Sequence, residues 1–181
     1  MKKKILKITV TAFSVATLFA FSALAADDTP AQCQQTIADF QNKDSSLKSF
    51  MDNSSGFVVF PSVGKGGFII GGARGKGLLF VNGAAAGQAT MTQASIGAQA
   101  GGQTFSEIIV FQNPGAVSDF KDGKFELSAD VSAVAASEGA SKSAKYKRGI
   151  AVFTLPKSGL MVQASVGGQK FSFEPLVPTG R

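Results

Sequence analysis

Residues 56–82 alternate three short apolar runs with glycines and basic residues, which restricts this segment to short strands joined by tight turns. The runs are residues 57–60, 68–70 and 78–81, and they are rich in Val, Ile, Leu and Phe. Such runs bounded by Gly or Pro are typical of strands, because glycine weakens strand interiors and accepts turn dihedrals. The basic residues between the runs are therefore predicted to lie at or near chain reversals: Lys65, Arg74 and Lys76.

Beyond this stretch, the pattern of the chain predicts an antiparallel sheet with few helices. Residues 125–135 have the clearest period of two, with one apolar and one mostly polar face, as antiparallel strands do. Asn113-Pro114 indicates the capped start of a short helix over 115–121. The predicted fold is α+β and mostly antiparallel β, a strongly curved or partly closed sheet with an N-terminal helix and one short internal helix. The further predicted strands cover residues 90–98, 104–111, 149–155, 159–166 and 169–174.

Residues 27–53 carry an apolar stripe at helical spacing, which predicts an N-terminal helical segment. One interpretation is an amphipathic helix that lies on a membrane surface, and the other is a helix that packs on the sheet. Residues 26–55 contain five Asp and two Lys, and no row of Lys and Arg marks a polar face, so packing on the sheet is favoured. Asp44 interrupts the stripe, whose members are Cys33, Ile37, Phe40, Leu47 and Met51.

The first 25 residues have the three parts of a secretory signal peptide. Four lysines lie among the first seven residues, residues 8–24 are mostly apolar, and Ala23-Leu24-Ala25 is a small-x-small cleavage site. An uncleaved membrane anchor is the alternative, which the polar residues after Ala25 disfavour. We therefore predict export across the inner membrane to the periplasm, with a peripheral membrane location as a further option. The predicted organisation is a signal peptide (1–25), a helical segment packing on the domain (26–55) and a β domain (56–178).

Composition excludes several classes of chemistry. The chain has one cysteine, so it forms no intramolecular disulfide, and it has no histidine. The lack of histidine removes the commonest general base and transition-metal ligand, together with the Ser-His-Asp and Cys-His nucleophile systems. The net charge of +6 falls to +2 without the four lysines of residues 1–25, which is too small to indicate a nucleic-acid binder. We predict no enzyme activity, no cofactor, no metal and no nucleic-acid partner.

The lysine–glycine pairs of residues 64–77 invite comparison with phosphate-binding loops. Gly75-Lys76 is followed by Gly77 instead of Ser or Thr, so the nucleotide-binding loop motif is not met. Glycine-exposed backbone N–H groups beside cations can still hold a headgroup phosphate without a catalytic arrangement. The alternative is that these cations are ordinary solvated turn residues.

A second basic group follows a polar loop predicted over residues 137–143. Lys142, Lys145, Lys147 and Arg148 surround Tyr146, the single tyrosine of the chain. Four cations beside a tyrosine fit a contact with anionic lipid headgroups, worth about 1 kcal/mol for each basic side chain near the surface. A solvated basic loop is the alternative.

Three segments share their order and their residues with a known domain. They are FVVFPSVGKGGF (57–68), GKFELSADVSAVAA (123–136) and KRGIAVFTLPKSG (147–159). This pattern resembles the SYLF domain, the lipid-binding module of bacterial envelope proteins and of eukaryotic actin- and phosphoinositide-linked proteins, over roughly residues 31–175. The resemblance implies lipid binding without a catalytic residue set, and it supports Lys65 best, inside the matched G-K-G-G-F. Actin binding, found in yeast members, is not expected of an exported chain.

These observations predict a non-catalytic phospholipid-binding protein of the bacterial cell envelope, which contacts anionic headgroups through Lys and Arg on glycine-rich turns. The alternative is a structural or stress-related envelope interaction protein without a specific lipid ligand. An enzyme that uses Ser or Lys chemistry is a third reading, which no motif supports. The predicted lipid-binding residues are Lys65, Arg74, Lys76, Lys142, Lys145, Tyr146, Lys147 and Arg148.

Overall fold

The computed structural model describes residues 29–64, 72–94, 104–127, 131–158 and 168–176 of the 181-residue chain. Four helices lie within these ranges: α1 (Thr29–Lys43), α2 (Leu47–Asp52), α3 (Pro114–Lys121) and α4 (Ala140–Ser143). The strands are β1 (Gly56–Gly64), β2 (Gly72–Val81), β3 (Ala84–Ala94), β4 (Thr104–Phe111), β5 (Glu126–Leu127), β6 (Ala133–Ala135), β7 (Ile150–Ser158) and β8 (Gln169–Pro175). None of the described helices is long and apolar enough to cross a membrane.

The eight described strands form one sheet in the order β5-β8-β3-β2-β1-β4-β7-β6. Every neighbouring pair is antiparallel except β6 and β7, which are parallel. The prediction of a mostly antiparallel sheet with an N-terminal helix is therefore confirmed. The turn between β2 and β3 has positive φ angles at Asn82 (51°) and Gly83 (76°), as a two-residue hairpin of right-handed twist requires.

The sheet is strongly curled, so that strands distant in its order meet across one face. Gln169 on β8 donates from Nε2 to Glu107 Oε2 on β4 at 3.0 Å, although β3, β2 and β1 lie between these strands. The rings of Phe60 on β1 and Phe171 on β8 lie 5.8 Å apart on the same face. We call this the concave face and the opposite one the convex face.

Each face of the sheet buries its own apolar cluster. The concave cluster joins alternate residues of the strands to α3 through Val117 and Phe120. The convex cluster joins the other residues of β1, β2, β4 and β7 to α1 and α2 through Cys33, Phe40 and Leu47. Burying both faces explains why β1 and β4 are almost continuously apolar. Burial also raises the pKa of the Cys33 thiol to about 11, against a backbone hydrogen bond with Leu78 that lowers it, so this cysteine stays protonated.

Several elements differ from the predicted ones. The N-terminal helical pattern is two helices, because the chain turns at residues 44–46 between α1 and α2. α3 begins as predicted, with the Asn113 side chain accepting from Ala116 N at 3.0 Å and Pro114 in the first turn. The second internal helix, α4, lies where a polar loop was predicted, so the prediction of one short internal helix was too low.

The predicted strand over residues 125–135 is not continuous. Its described parts are β5 and β6, which lie at opposite edges of the sheet. Period-two spacing predicts which face a residue occupies but not which strand it pairs with, so the pattern alone did not separate them. The predicted strands over 68–70 and 159–166 lie outside the described residues.

Candidate functional site

Two of the predicted cations near residue 70 lie inside a strand. The structure places Arg74 and Lys76 in β2, where Arg74 pairs with Gly64 and Thr92, and Lys76 with Ser62 and Thr90. Both residues thus lie within a strand and not in a turn, although Arg74, the third residue of β2, is near the reversal that joins the antiparallel β1 and β2. The glycines around them do not interrupt the strand, because Gly75 and Gly77 allow neighbouring side chains and backbone to approach closely. Lys65 lies outside the described residues.

Arg74 and Lys76 point to the convex face, four and two residues before the buried Leu78 of the convex cluster. Both are exposed beyond the end of that cluster. Thr92, which pairs with Arg74, also pairs with Lys170 on β8. Lys170 is itself within 3.2 Å of Glu126, with both side chains well exposed. This part of the convex face is thus a solvated polar surface with mixed charges.

The second group of cations lies at the other end of the sheet. Lys142 is in α4, and Lys147 forms a backbone bridge with Ile150 at the start of β7. Arg148 and Gly149 form the turn between them, with φ angles of 53° and 80°. Because β7 is nine residues long and its far end aligns with the row of Arg74, Arg74 is separated from the second group by about 26 Å along the strands. The structure does not bring all the predicted cations together.

A hollow of about 440 Å³ opens between α2 and the α4–β7 segment, and two of the predicted residues line it. Its aromatic wall is Phe50 on α2 stacked on Tyr146, with ring centroids 4.9 Å apart. Phe50 also contacts the buried Phe153 edge-on at 5.4 Å, so the wall is anchored in the convex cluster. The full lining is Ser46, Ser49, Phe50, Asn53, Ser141, Lys142, Ala144 and Tyr146.

The hollow is assembled by Asp44, a fully buried carboxylate between α1 and α2. Its oxygens accept from the backbone N–H groups of Ser141 at 2.6 Å and Gly139 at 3.2 Å. They also accept from the backbone N–H and the hydroxyl of Ser46. Nearby, the Ser45 hydroxyl donates to Glu138 at 2.9 Å. The α1–α2 turn is therefore tied to α4, more than ninety residues later in the chain.

Electrostatics make the hollow a neutral-to-positive surface. Burial raises the pKa of Asp44, but hydrogen bonds from Ser46 and Ser141 outweigh it and leave the pKa below its ordinary value. The negative charge of Asp44 is thus satisfied by hydrogen-bond donors of the protein itself. Burial raises the pKa of Tyr146, which therefore presents a neutral hydroxyl. Lys142 lines the hollow and is exposed, and Lys145, Lys147 and Arg148 follow it along the exposed surface.

This arrangement offers groups that can hold a ligand. An aromatic wall, serine hydroxyls, an amide and an amine can hold a polar anionic group beside an apolar one. Within the described ranges, no cluster of three or more Cys, Asp or Glu could hold a metal ion. The sequence interpretation located Lys142 and Tyr146 but missed the α2 side of the hollow: Ser46, Ser49, Phe50 and Asn53. The available signal was Asp44, a charge within an apolar helical stripe.

Replacing Asp44 with Asn is expected to lower the free energy of unfolding by about 2–3 kcal/mol, because the amide loses the charge and brings an N–H₂ against backbone donors. The folded pKa of Asp44 is depressed, so its contribution is present above the ordinary value of 3.8 and is lost as the pH falls through the lower folded value. Urea unfolding of the variant should therefore lose part of the acid dependence of the unmodified protein.

The matched control for this variant is Asp52→Asn in α2. Asp52 is exposed and paired with Lys48 at 2.6 Å, so its replacement should change stability by less than about 1 kcal/mol. Equal effects of the two substitutions would show that Asp44 does not hold the hollow together.

Comparison with known proteins finds similarity over part of this chain. A family model described as Ysc84, Las17-binding protein actin regulator, matches residues 92–175. Beta cell expansion factor A from Aeromonas veronii is 30% identical over 81 residues, which are 45% of this chain and 31% of that protein. The alignment thus spans about a third of the length of this curated relative. The matched part includes α4, Tyr146 and the cations of the second group.

Proposed function

We propose that this protein is a non-catalytic phospholipid-binding protein of the bacterial cell envelope, and the match of residues 92–175 to the Ysc84 family model supports this proposal. It receives the phosphate of an anionic headgroup at the hollow between α2 and α4. The observation that carries the proposal is that Lys142 and Tyr146, both predicted from sequence, line one hollow with an apolar wall. Its setting would be the periplasm, at the surface of a membrane.

The chemistry of the hollow supports an amphiphile more than a free anion. Phe50 and Tyr146 present ring surface to an apolar neighbour, while the tyrosine hydroxyl and Lys142 can reach a phosphate. Lys145, Lys147 and Arg148 extend the positive surface beyond the rim. Arg74 and Lys76, about 26 Å and about 17 Å away along the strands, are proposed as a secondary contact with an extended anionic surface.

Co-sedimentation with vesicles tests this proposal. Mature protein is expected to pellet with vesicles of phosphatidylcholine mixed with phosphatidylglycerol, and to remain in solution with phosphatidylcholine alone. Changing Lys142, Lys145 and Lys147 together to Gln should weaken binding about 100-fold, at about 1 kcal/mol for each cation. Binding of the unmodified protein should also fall as salt rises, because screening shortens the reach of these charges.

Two sets of controls separate the hollow from general positive charge. Lys121, Lys124 and Lys157 are exposed and lie outside the hollow, so changing all three to Gln removes the same charge and should leave most of the binding. Tyr146→Phe keeps the stack on Phe50, whereas Tyr146→Ser removes it and should bind more weakly. Equal pelleting of all variants would contradict the proposed site. Recovery only with protein partners, without dependence on lipid, would favour the structural interaction role.

A further inference from the structure

Glu107 is a fully buried carboxyl on the concave face, whereas the hollow lies on the convex side of the sheet. Its Oε2 accepts from Gln169 Nε2 at 3.0 Å. Its Oε1 and the Oε1 of Gln169 are both buried, and neither has a hydrogen-bond partner among the residues that the structure describes. Two unpartnered buried oxygens on facing side chains are unusual, because a buried polar atom without a partner is destabilising.

Among the described residues, those that face Glu107 are not titratable. Phe60 on β1 and Thr154 on β7 pair with it in register, and Gln169 faces it from β8. Burial raises the pKa of Glu107 to about 7, and the Gln169 hydrogen bond lowers it only in part. The charged residues described on the surrounding elements are exposed, and they are Arg74, Lys76, Asp119, Lys121, Glu126, Lys157, Lys170 and Glu174.

Gln169 belongs to an outer part of the sheet. It begins β8, whose outer neighbour β5 has two residues and pairs with Lys170 and Gln169. Phe171, next on the same face of β8, contacts Phe60, Phe120 and Phe125 with ring centroids 5.4–5.8 Å apart. Detachment of β8 would therefore uncover the phenylalanines of the concave cluster.

We propose that the Glu107–Gln169 contact is a proton-operated latch that holds the β5–β8 pair onto the concave cluster. With the carboxyl neutral, the pair stays closed. Ionisation places a negative charge with one unpartnered oxygen in an apolar interior, and local unfolding of β5 and β8 hydrates it. This inference does not depend on lipid binding, because the latch and the hollow lie on opposite faces of the sheet.

The sign of the effect follows from the two states of the carboxyl. In the opened state Glu107 regains its ordinary pKa of 4.5, whereas in the closed state the pKa is about 7. Opening is therefore least favourable below pH 4.5. It becomes more favourable by up to about tenfold per pH unit as the pH rises towards 7, and it levels off above that value.

Hydrogen exchange measured by mass spectrometry tests the latch. After correction for intrinsic exchange rates, the protection of residues 169–175 is expected to fall by about tenfold per pH unit between about pH 5 and pH 7. Residues 56–64 and 72–81, in the middle of the sheet, should stay more strongly protected than β8 at every pH, because they exchange only when the whole domain unfolds. Glu107→Gln should remove the pH dependence at β8, since its side chain keeps the shape and cannot ionise.

The matched control is Glu174→Gln, which removes an exposed carboxylate from the same strand and should leave the pH dependence of the unmodified protein. The latch would be contradicted if β8 protection did not vary with pH, or if it varied equally in Glu107→Gln. Protection of β8 equal to that of the central strands at every pH would also overturn it, because Glu107 would then be hydrated only by global unfolding and without local release.

Discussion

Glutamine in place of Glu107 is expected to raise the free energy of unfolding by about 3 kcal/mol at pH 8. Burial holds the pKa of this carboxyl at about 7 in the folded protein, against an ordinary 4.5. The folded state therefore has its full stability below pH 4.5, where the Glu107 carboxyl is neutral, and it loses this stability as the pH rises through 7. A glutamine carbonyl can still accept from Gln169 Nε2, and its amide can donate to the unpartnered Gln169 Oε1.

Urea unfolding across a pH series measures this effect. The unmodified protein should lose stability between about pH 4.5 and pH 7, and the variant should show a nearly flat profile over that range. Because folded domains are stable by only about 5–15 kcal/mol, a gain of this size is easily resolved. A variant less stable than the unmodified protein at pH 8 would show that Glu107 is charged and well solvated in the folded state.

Alanine in place of Gly77 is expected to lower the free energy of unfolding by about 3 kcal/mol or more. An added Cβ would overlap the carbonyl oxygen of Val59 and meet Phe60 Cδ1 at 2.9 Å. The overlap involves backbone, so β1 and β2 must separate where their register already shifts, between Val59 and Ser62. Thermal or urea unfolding should show a reduced midpoint, or the variant should fail to fold.

Gly75→Ala is the graded control on the same strand. Its Cβ would lie 3.1 Å from Val63 Cγ2 and 3.3 Å from the Ser62 carbonyl oxygen, a tight contact that small movements can relieve. Alanine also removes the entropic disadvantage of glycine in a strand, so the net change should stay within about 1 kcal/mol. Similar losses for both variants would show that the close approach at Gly77 has no special role.

Local patterns were sufficient for the parts of the fold that depend on neighbouring residues. The apolar runs of β1 and β4, the capped start of α3 and the antiparallel character of the sheet were all predicted from spacing and turn chemistry. Long-range partners were not. The split of residues 125–135 between both edges of the sheet depends on how the strands curl, which a period of two does not encode.

The same limit applies to the candidate site. Charge clustering located Lys142 and Tyr146, but the α2 wall comes from residues 46–53, brought there by Asp44. Glycine-rich sequence around Arg74 and Lys76 suggested turns, whereas those glycines permit close packing inside a strand. The Glu107–Gln169 pair joins residues 62 positions apart and carries no local signature beyond a carboxylate within an apolar run.

The brevity of the outermost strands has a consequence for how molecules of this protein meet one another. In the part of the chain that the structure describes, the sheet ends in β5 and β6, of two and three residues. Fibrous stacking and strand exchange between chains require a long row of free backbone donors and acceptors. Such short edge strands present few of these groups. Edge-to-edge pairing between copies of this curled, phenylalanine-rich sheet is therefore disfavoured even at high protein concentration.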